Sequence, residues 1–381
     1  MIIYDLVATQ PHNNGKIKFH GGGKYAEVVF YRMIQLKKKF IAFYDSSNWI
    51  NDELIKAASE HGIVLFDIQK DTLESICDKY NNSCIFSILP KKSYLKYKTV
   101  GVIHDCRILH NPLDCMMFRL KFGYKDIKRY ILQRFLGKML VKRVSKSLKD
   151  MLMHDNFYPT TITQFTKSTL LLHYYIEKVK QMPIFYTPSF YGLFKDYKSL
   201  PNEKFLLLVS GDRAIKNPIR AIMAMDLIFD IPEYKEYKLV ITGLKTLSDV
   251  KVKIRNKDNF ICIGYVDNSS LCSYYQNCTA LLFPSLYEGF GMPPLEAMSF
   301  GKPVLSSNLT AMPEVLGEAV IYFDAYSITD IASKVLQLLS DNELYDHYKS
   351  LAVNRFILMF NKQKGSLDAL IDYAYNVAKK E

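Results

Sequence analysis

Two glutamates eight positions apart, Glu288 and Glu296, bracket a glycine–proline turn in the run Pro284-Ser-Leu-Tyr-Glu-Gly-Phe-Gly-Met-Pro-Pro-Leu-Glu-Ala297. An ionised carboxylate only accepts hydrogen bonds, so such a pair suits a ligand rich in hydroxyl groups. Between them, Gly289 and Gly291 let the backbone approach a ligand, and Pro293 and Pro294 preset a first helical turn. The unused N–H groups of that turn, at the positive end of a helix, make a phosphate site. A second cluster, Val209-Ser-Gly-Asp-Arg-Ala-Ile-Lys-Asn-Pro218, places Arg213 and Lys216 three apart, after Gly211 and ahead of another helix. The planar fork of Arg and the point charge of Lys can converge there on a diphosphate.

The elements that must hold these residues follow a repeated rhythm of short apolar strand, turn and amphipathic helix. In the second half, Phe205–Val209, Lys238–Thr242, Phe260–Ile263, Ala280–Phe283, Pro303–Ser306 and Val320–Phe323 read as strands. Pro218–Phe229, Asn268–Gln276 and Thr329–Leu339 read as the helices between them. In the first half, Ile2–Ala8, Phe40–Phe43, Ile63–Phe66, Cys84–Leu89, Val100–Ile103 and Thr160–Thr163 are the strand candidates. Strands alternating with helices predict α/β domains with parallel sheets, whose ligands sit beyond the carboxyl ends of the strands. A chain of 381 residues exceeds one core, and Pro188–Asn202 reads as a linker. The expected division is 1–195, 196–355, and a last stretch 356–381 that packs back on the first domain.

The first half offers weaker chemistry. His20-Gly-Gly-Gly-Lys24 follows the first strand, and its Gly22 and Gly23 permit close backbone approach ahead of a helix over Tyr25–Lys37. His104 and Asp105 end another strand, at the edge where a ligand would lie. Thr163-Gln-Phe-Thr-Lys-Ser168 has the composition of a helix N-cap.

From Glu288 to Ser306, with Gly301 and Pro303 included, the sequence resembles the E-x7-E signature of the retaining family-4 glycosyltransferases, the glycosyl transferases group 1, which have the GT-B architecture. The resemblance implies two Rossmann-like domains with parallel sheets facing an inter-domain cleft. It implies that Glu288 contacts the donor sugar, Glu296 the nucleotide ribose, and the backbone amides of Gly291 and Met292 the donor, with Phe290 in the same run. Arg213 and Lys216 match the pair that stabilises the leaving diphosphate, and the turn Gly264-Tyr265-Val266 lies beside the base in that family. His104 would touch the transferred sugar, Asp105 the acceptor side, and Gly22 and Gly23 would close over the donor. The implied reaction retains anomeric configuration, with a donor phosphate oxygen assisting the attacking hydroxyl. No DxD triplet is present, and the expectation is a metal-independent enzyme with no cofactor beyond its UDP- or GDP-linked co-substrate.

Composition bounds the alternatives. The seven cysteines lack CxxC spacing, which suits a reducing compartment and argues against structural zinc. No signal pattern or spanning apolar run is visible, so a cytoplasmic protein is expected. The net charge of +12 fits nucleic acid, an anionic membrane or an anionic substrate, and no nucleic-acid motif accompanies it. A sugar-nucleotide epimerase or phosphorylase shares the architecture, and a basic nucleic-acid-binding protein would explain the charge. Neither explains the acid pair around its turn as well as a transferase to a glycan or lipid-linked hydroxyl. Across 119–149, basic residues alternate with apolar Ile127, Ile131, Phe135, Leu140, Val144 and Leu148 at helical spacing. Such a segment can lie on the inner face of a membrane, each basic residue adding about 1 kcal/mol. Vesicles rich in anionic lipid should then sediment the protein at low salt and release it at high salt; no sedimentation would remove this surface from consideration.

Overall fold

The computed structural model describes residues 1–11, 21–80, 83–110, 139, 141–189, 203–250 and 252–380. Of the basic segment 119–149, residues 119–138 and 140 lie outside that set, as do 190–202 of the linker and His20. Contacts divide the chain into two units: Met1–Cys106 with Ser145–Phe190 and Asn361–Glu381, and Arg107–Val144 with Tyr191–Phe360. Among the described residues, no helix is long and apolar enough to cross a membrane.

The first unit holds β1 (Ile2–Asp5), β2 (Phe40–Tyr44), β3 (Leu65–Asp67), β4 (Cys84–Ser87), β5 (Thr99–Ile103) and β6 (Phe157–Thr161), in the order β3-β2-β1-β4-β5-β6. Every pairing is parallel, with Ile3 opposite Ile41 on one side and Ile85 on the other. All four residues of β1 and of β4 are buried. Strands covered on both faces read as unbroken apolar runs, which is why this sheet shows no alternation in sequence. Ile3, Ile41, Phe43, Ile76, Ile85 and Tyr94 form one core cluster on it.

The second unit repeats the plan with β7 (Phe205–Leu208), β8 (Lys238–Thr242), β9 (Phe260–Gly264), β10 (Ala280–Phe283), β11 (Val304–Ser307) and β12 (Ile321–Phe323), in the order β12-β11-β10-β7-β8-β9. In each unit the chain starts at a central strand, runs to one edge, then crosses back to build the other side. The reversal lies between β1 and β4 in the first unit and between β7 and β10 in the second. Loops leaving such a pair diverge and open a crevice at the carboxyl ends of the strands, the place where ligands bind in open α/β sheets.

Three local readings need correction. The expected strand Ile2–Ala8 stops at Asp5, and Leu6–Thr9 turns into a 3-10 helix with Leu6 and Ala8 still buried. Apolar content alone does not separate a buried strand from a buried turn. The strand expected at Thr160–Thr163 runs instead over Phe157–Thr161, and Thr163 becomes the N-cap of helix Gln164–Tyr174, accepting from the Thr166 N–H (3.2 Å). The three glycines expected ahead of a helix are its first turn, since the helix spans Gly21–Gln35. A Cβ on Gly22 would stand 3.1 Å from the Leu89 Cδ2, so small size serves packing against the chain beyond β4.

The final helix, Asn342–Lys379, contains the unit boundary at Phe360/Asn361. Within the first unit, Arg32 forks onto both Asp368 oxygens (2.7 and 2.8 Å), Lys38 reaches Asp372 (2.8 Å), and Gln363 donates to the Thr187 carbonyl (2.6 Å). The Arg32 guanidinium holds the Asp368 carboxyl below its ordinary value.

One carboxylate is buried at the reversal itself. Asp5 ends β1 fully buried; Ser87 of β4 donates to its Oδ2 (2.6 Å), while Oδ1 has no hydrogen-bond partner. Burial, opposed by the Ser87 bond, pushes its pKa from 3.8 to about 6. The raised value means the folded state favours the protonated form. Its stabilisation is complete below the unfolded value and is lost as pH rises through about 6. Asp5→Asn should therefore gain thermal stability over the wild type as pH moves from about 3 to 8, by as much as about 3 kcal/mol, of which about half accrues above pH 5. Melting curves of both proteins across that range check it, and a pH-independent difference would refute the assignment.

Candidate active site

At the reversal of the second unit, the chain leaving β7 is held close to β8. The Gly211 N–H donates to the Thr242 carbonyl (2.7 Å), and the Ser210 N–H to the Thr242 Oγ1 (3.0 Å). A Cβ at position 211 would lie 2.4 Å from Ile241 Cγ2, so this approach demands glycine. The next residues form the tight turn Ala214–Lys216. Asn217 then takes a left-handed conformation (φ 56°), its amide donates to the Ala325 carbonyl (2.7 Å), and Pro218 starts the helix to Ile228. This sequence of turns sends the Lys216 side chain inward and leaves Arg213 exposed, with the Arg213 carbonyl accepting from the Lys216 N–H (2.9 Å).

The loop leaving β10 meets that lysine. Lys216 Nζ lies 2.5 Å from Glu288 Oε1, and the two side chains are only 7% and 14% exposed. Ser285 donates to the same Oε1 (2.5 Å), and the Glu288 N–H donates to Thr310 Oγ1 (3.0 Å). The ammonium also sits 4.9 Å from the centroid of the Phe283 ring, an attractive position for a cation. Both bonds to the carboxylate fall on Oε1, so Oε2 carries none from the described residues. The pair is thus a fixed cation beside a carboxylate with one oxygen turned to other uses.

Beyond Glu288 the loop ends at Gly291, left-handed at φ 91°, which caps helix Met292–Ser299 with prolines in its first turn. A Cβ on Gly291 would meet only the mobile end of Met312, so it is the left-handed conformation that favours glycine there. Glu296, partly exposed, accepts from the buried Tyr275 hydroxyl (2.7 Å). Phe290 is buried, Val266 half-buried, and Tyr265 is 77% exposed on the turn after β9. Gly243 and Gly264, both at positive φ, bring the turns after β8 and β9 together through the Gly243 N–H and Gly264 carbonyl (2.5 Å). An ammonium and two carboxylates beside the start of a helix are a set suited to a phosphorylated polyol.

In the first unit, the corresponding reversal opens a cavity of about 590 Å³. Val7 and Ala8 after β1, Leu89 to Lys91 after β4, and His104 and Asp105 after β5 line it. His104 Nε2 lies 2.8 Å from the Ile88 carbonyl, so that nitrogen donates, and Tyr25 meets the imidazole edge-on at 5.6 Å. Gly22 and Gly23 lie in the helix turn packed on Leu89. Gln10, buried, clamps the far wall: its Nε2 donates to the Asp45 carbonyl (2.8 Å) and its Oε1 accepts from the Asp45 N–H (2.9 Å). Among the described residues, no group of three or more His, Cys, Asp or Glu could hold a metal ion.

Of the residues singled out in the sequence, Lys216 and Glu288 meet directly, Gly291 and Glu296 lie on the same loop and helix, Arg213 is exposed and His104 lines the cavity of the first unit. Ser285, Phe283, Tyr275, Gln10 and Asp45 touch them or that cavity and were not singled out. The serine lay inside the quoted motif, three residues before Glu288, at helix-like spacing that a loop does not advertise. The others come from segments with no local signal.

Residues 193–355 match the model of the family described as Glycosyl transferases group 1. The serotype-specific mannosyltransferase WbdA of Escherichia coli is 32% identical over 166 residues, 42% of this chain and 20% of that protein. The chain thus matches about a fifth of the length of this relative. The O-antigen chain mannosyltransferase B of Escherichia coli is 27% identical over 376 residues, 92% of this chain and 93% of that protein. The crystal structure of a glycosyltransferase from Rickettsia africae ESF-5 superposes with a TM-score of 0.64 at 13% identity, over 100% of this chain and 99% of that one. Residues 193–355 are thus similar to the glycosyl transferases group 1 family, and the chain has the two-domain Rossmann-like α/β fold of the GT-B structure it superposes on.

The ion pair makes a specific claim on stability. Lys216→Met alone leaves a mostly buried carboxylate unpaired and should cost about 3 kcal/mol, whereas Lys216→Met with Glu288→Gln should recover most of that loss. Thermal unfolding of both variants measures the coupling, and strictly additive losses would show that the two groups do not depend on one another.

Proposed function

We propose that this chain is a retaining glycosyltransferase that moves a hexose-type sugar from a nucleotide-sugar donor, UDP- or GDP-linked, to a hydroxyl of a glycan or lipid-linked acceptor in surface-polysaccharide synthesis. The mannosyltransferase names of two relatives favour mannose as that sugar. The observation that carries the reading is the Lys216–Glu288 pair at the sheet reversal, beside the helix start at Met292.

In this reading the diphosphate rests on the amides of Gly291 and Met292, with Arg213 and Lys216 balancing the charge that grows as the nucleotide leaves. Fixed charges and amides of that kind lower a barrier because they need no rearrangement when charge develops. Lys216 has three N–H donors and spends one on Glu288, so it can serve a phosphate without releasing its partner. Glu288 Oε2 accepts from a sugar hydroxyl, and Glu296 accepts from the ribose. His104 faces the transferred sugar, and Asp105 stands on the acceptor side of the first unit's cavity. The acceptor hydroxyl attacks the anomeric carbon from the face the nucleotide leaves; its proton passes to a phosphate oxygen of the departing diphosphate. The C–O bond to phosphate breaks as the new C–O bond forms, and no metal takes part. The protein would work in the cytoplasm, at the inner face of the membrane if the basic segment binds there.

A ligand that binds only the folded state raises the melting temperature by mass action. Thermal shift and calorimetry with UDP, GDP, ADP and their common sugar conjugates should single out one nucleotide, and Glu296→Ala and Arg213→Ala should each weaken it by about tenfold or more. With the correct donor, the transferred sugar should keep its anomeric configuration by NMR of the product. A folded protein indifferent to every nucleotide would overturn the donor site.

A further inference from the structure

Tyr275 takes no part in the machinery above, yet it is tied to it. The residue lies on helix Asn268–Asn277 with no exposed surface, and its hydroxyl donates to Glu296 Oε2 at 2.7 Å. Its ring is fixed by Phe300, whose plane is inclined by only 15° at a centroid distance of 6.3 Å. Burial, and then the charge of Glu296, raise its pKa well above the ordinary tyrosine value, so the hydroxyl is a donor at neutral pH. A glutamate on a helix surface has three rotatable bonds and would otherwise sample several rotamers. Here one oxygen is anchored by a buried ring, in a residue that as a whole is partly exposed.

The helix that carries Tyr275 adds a second link. Asp267, next to Val266, caps it by accepting from the Ser270 N–H (2.8 Å). The turn Gly264–Val266 and the anchor of Glu296 are therefore two ends of one rigid element. Resting on the donor-site reading of Glu296, we propose that Tyr275 is a positioning residue that sets the Glu296 carboxylate for the two ribose hydroxyls of a nucleoside diphosphate. An ordered acceptor binds a diol with less loss of side-chain freedom than a mobile one. A tyrosine used only for packing has no need of a ligand-facing carboxylate as its partner.

The test uses the whole chain, with Tyr275→Phe keeping the ring and its stacking while deleting the hydroxyl. Calorimetry would measure affinity for UDP, GDP and ADP, and for the 2′,3′-dideoxy form of whichever binds. The expected result is an approximately tenfold weaker ribonucleotide with the dideoxy form unchanged, so that the ribo-to-deoxy preference falls toward one. An unaltered preference overturns the proposal, and so does equal weakening of both ligands, which marks general loosening. Glu296→Gln, measured beside it, separates the two levels of inference. If that variant keeps the wild-type preference, or if wild type binds no nucleotide, the donor-site reading fails and the proposal with it. If its preference collapses while Tyr275→Phe keeps its own, only the role of Tyr275 is overturned.

Discussion

A lysine and a glutamate that meet out of water must be brought together by something stronger than their own attraction. Taking two charges from water costs several kcal/mol each, and mutual attraction offsets that only with good geometry and further hydrogen bonds. Around Lys216 and Glu288 the structure supplies the Ser285 hydroxyl, the Thr310 hydroxyl under the Glu288 amide, and the face of Phe283. Each comes from an element whose place is fixed by the sheet: Phe283 ends β10, Ser285 and Glu288 leave it, and Lys216 sits on the loop from β7. The Leu286 N–H donates to the Ile215 carbonyl (2.8 Å), stitching those two loops by their backbones before any side chain is considered. Adjacent β7 and β10 are therefore the condition for the site, and the hydrophobic burial that assembles the sheet does the work that the charges could not.

The same topology gives the first unit a crevice that is built differently. Its reversal between β1 and β4 also opens a crevice, but the groups there are held by backbone carbonyls instead of by each other. His104 is oriented by Ile88, Gln10 by the chain at Asp45, and Asp5 stays below the surface under Ser87. No buried cation offsets Asp5 among its hydrogen-bond partners, so its ionisation opposes folding, in contrast to the paired carboxylate of the second unit. One reversal concentrates fixed charge, and the other presents a roomy wall of mixed polarity formed by Leu89, Pro90 and Val102 with His104 and Asp105.

How much of this a reader of the sequence could see follows from how local each cause is. The alternation of strands and helices was legible because buried parallel strands leave continuous apolar runs, and ten of the twelve expected strands need no more than shifted ends. The reading of Ile2–Ala8 as one strand failed because Leu6 and Ala8 are as buried in a turn as they would be in a sheet. Glu288, Gly291 and Glu296 were legible because a left-handed turn into a helix start admits few residue types, so glycine and proline mark it. Tyr275 was not, because a tyrosine 21 positions before its partner on a helix looks like any other core aromatic. Arg213 and Lys216 looked alike as a basic pair, yet the left-handed turn at Asn217 sends one into the protein and leaves the other at the surface.

That difference in locality separates the two crevices of the chain. The turns around Lys216, Glu288 and Gly291 are set by backbone geometry, and the one that carries the two glutamates is written in one stretch of about twenty residues. The cavity of the first unit is assembled from the ends of β1, β4 and β5 with Asp45, Asn48, Leu148 and Met151. Shape made from so many separate segments leaves no spacing pattern, since any of them can change size without breaking a turn or a cap. Glycine is demanded at 211 by the close approach of Ile241 and at 291 by a left-handed backbone, whereas a wall such as Leu89 or Val102 tolerates any apolar side chain that fits. The crevice set by backbone geometry therefore admits few residue types, and the cavity set by side-chain volume is the one whose shape can change without breaking a turn.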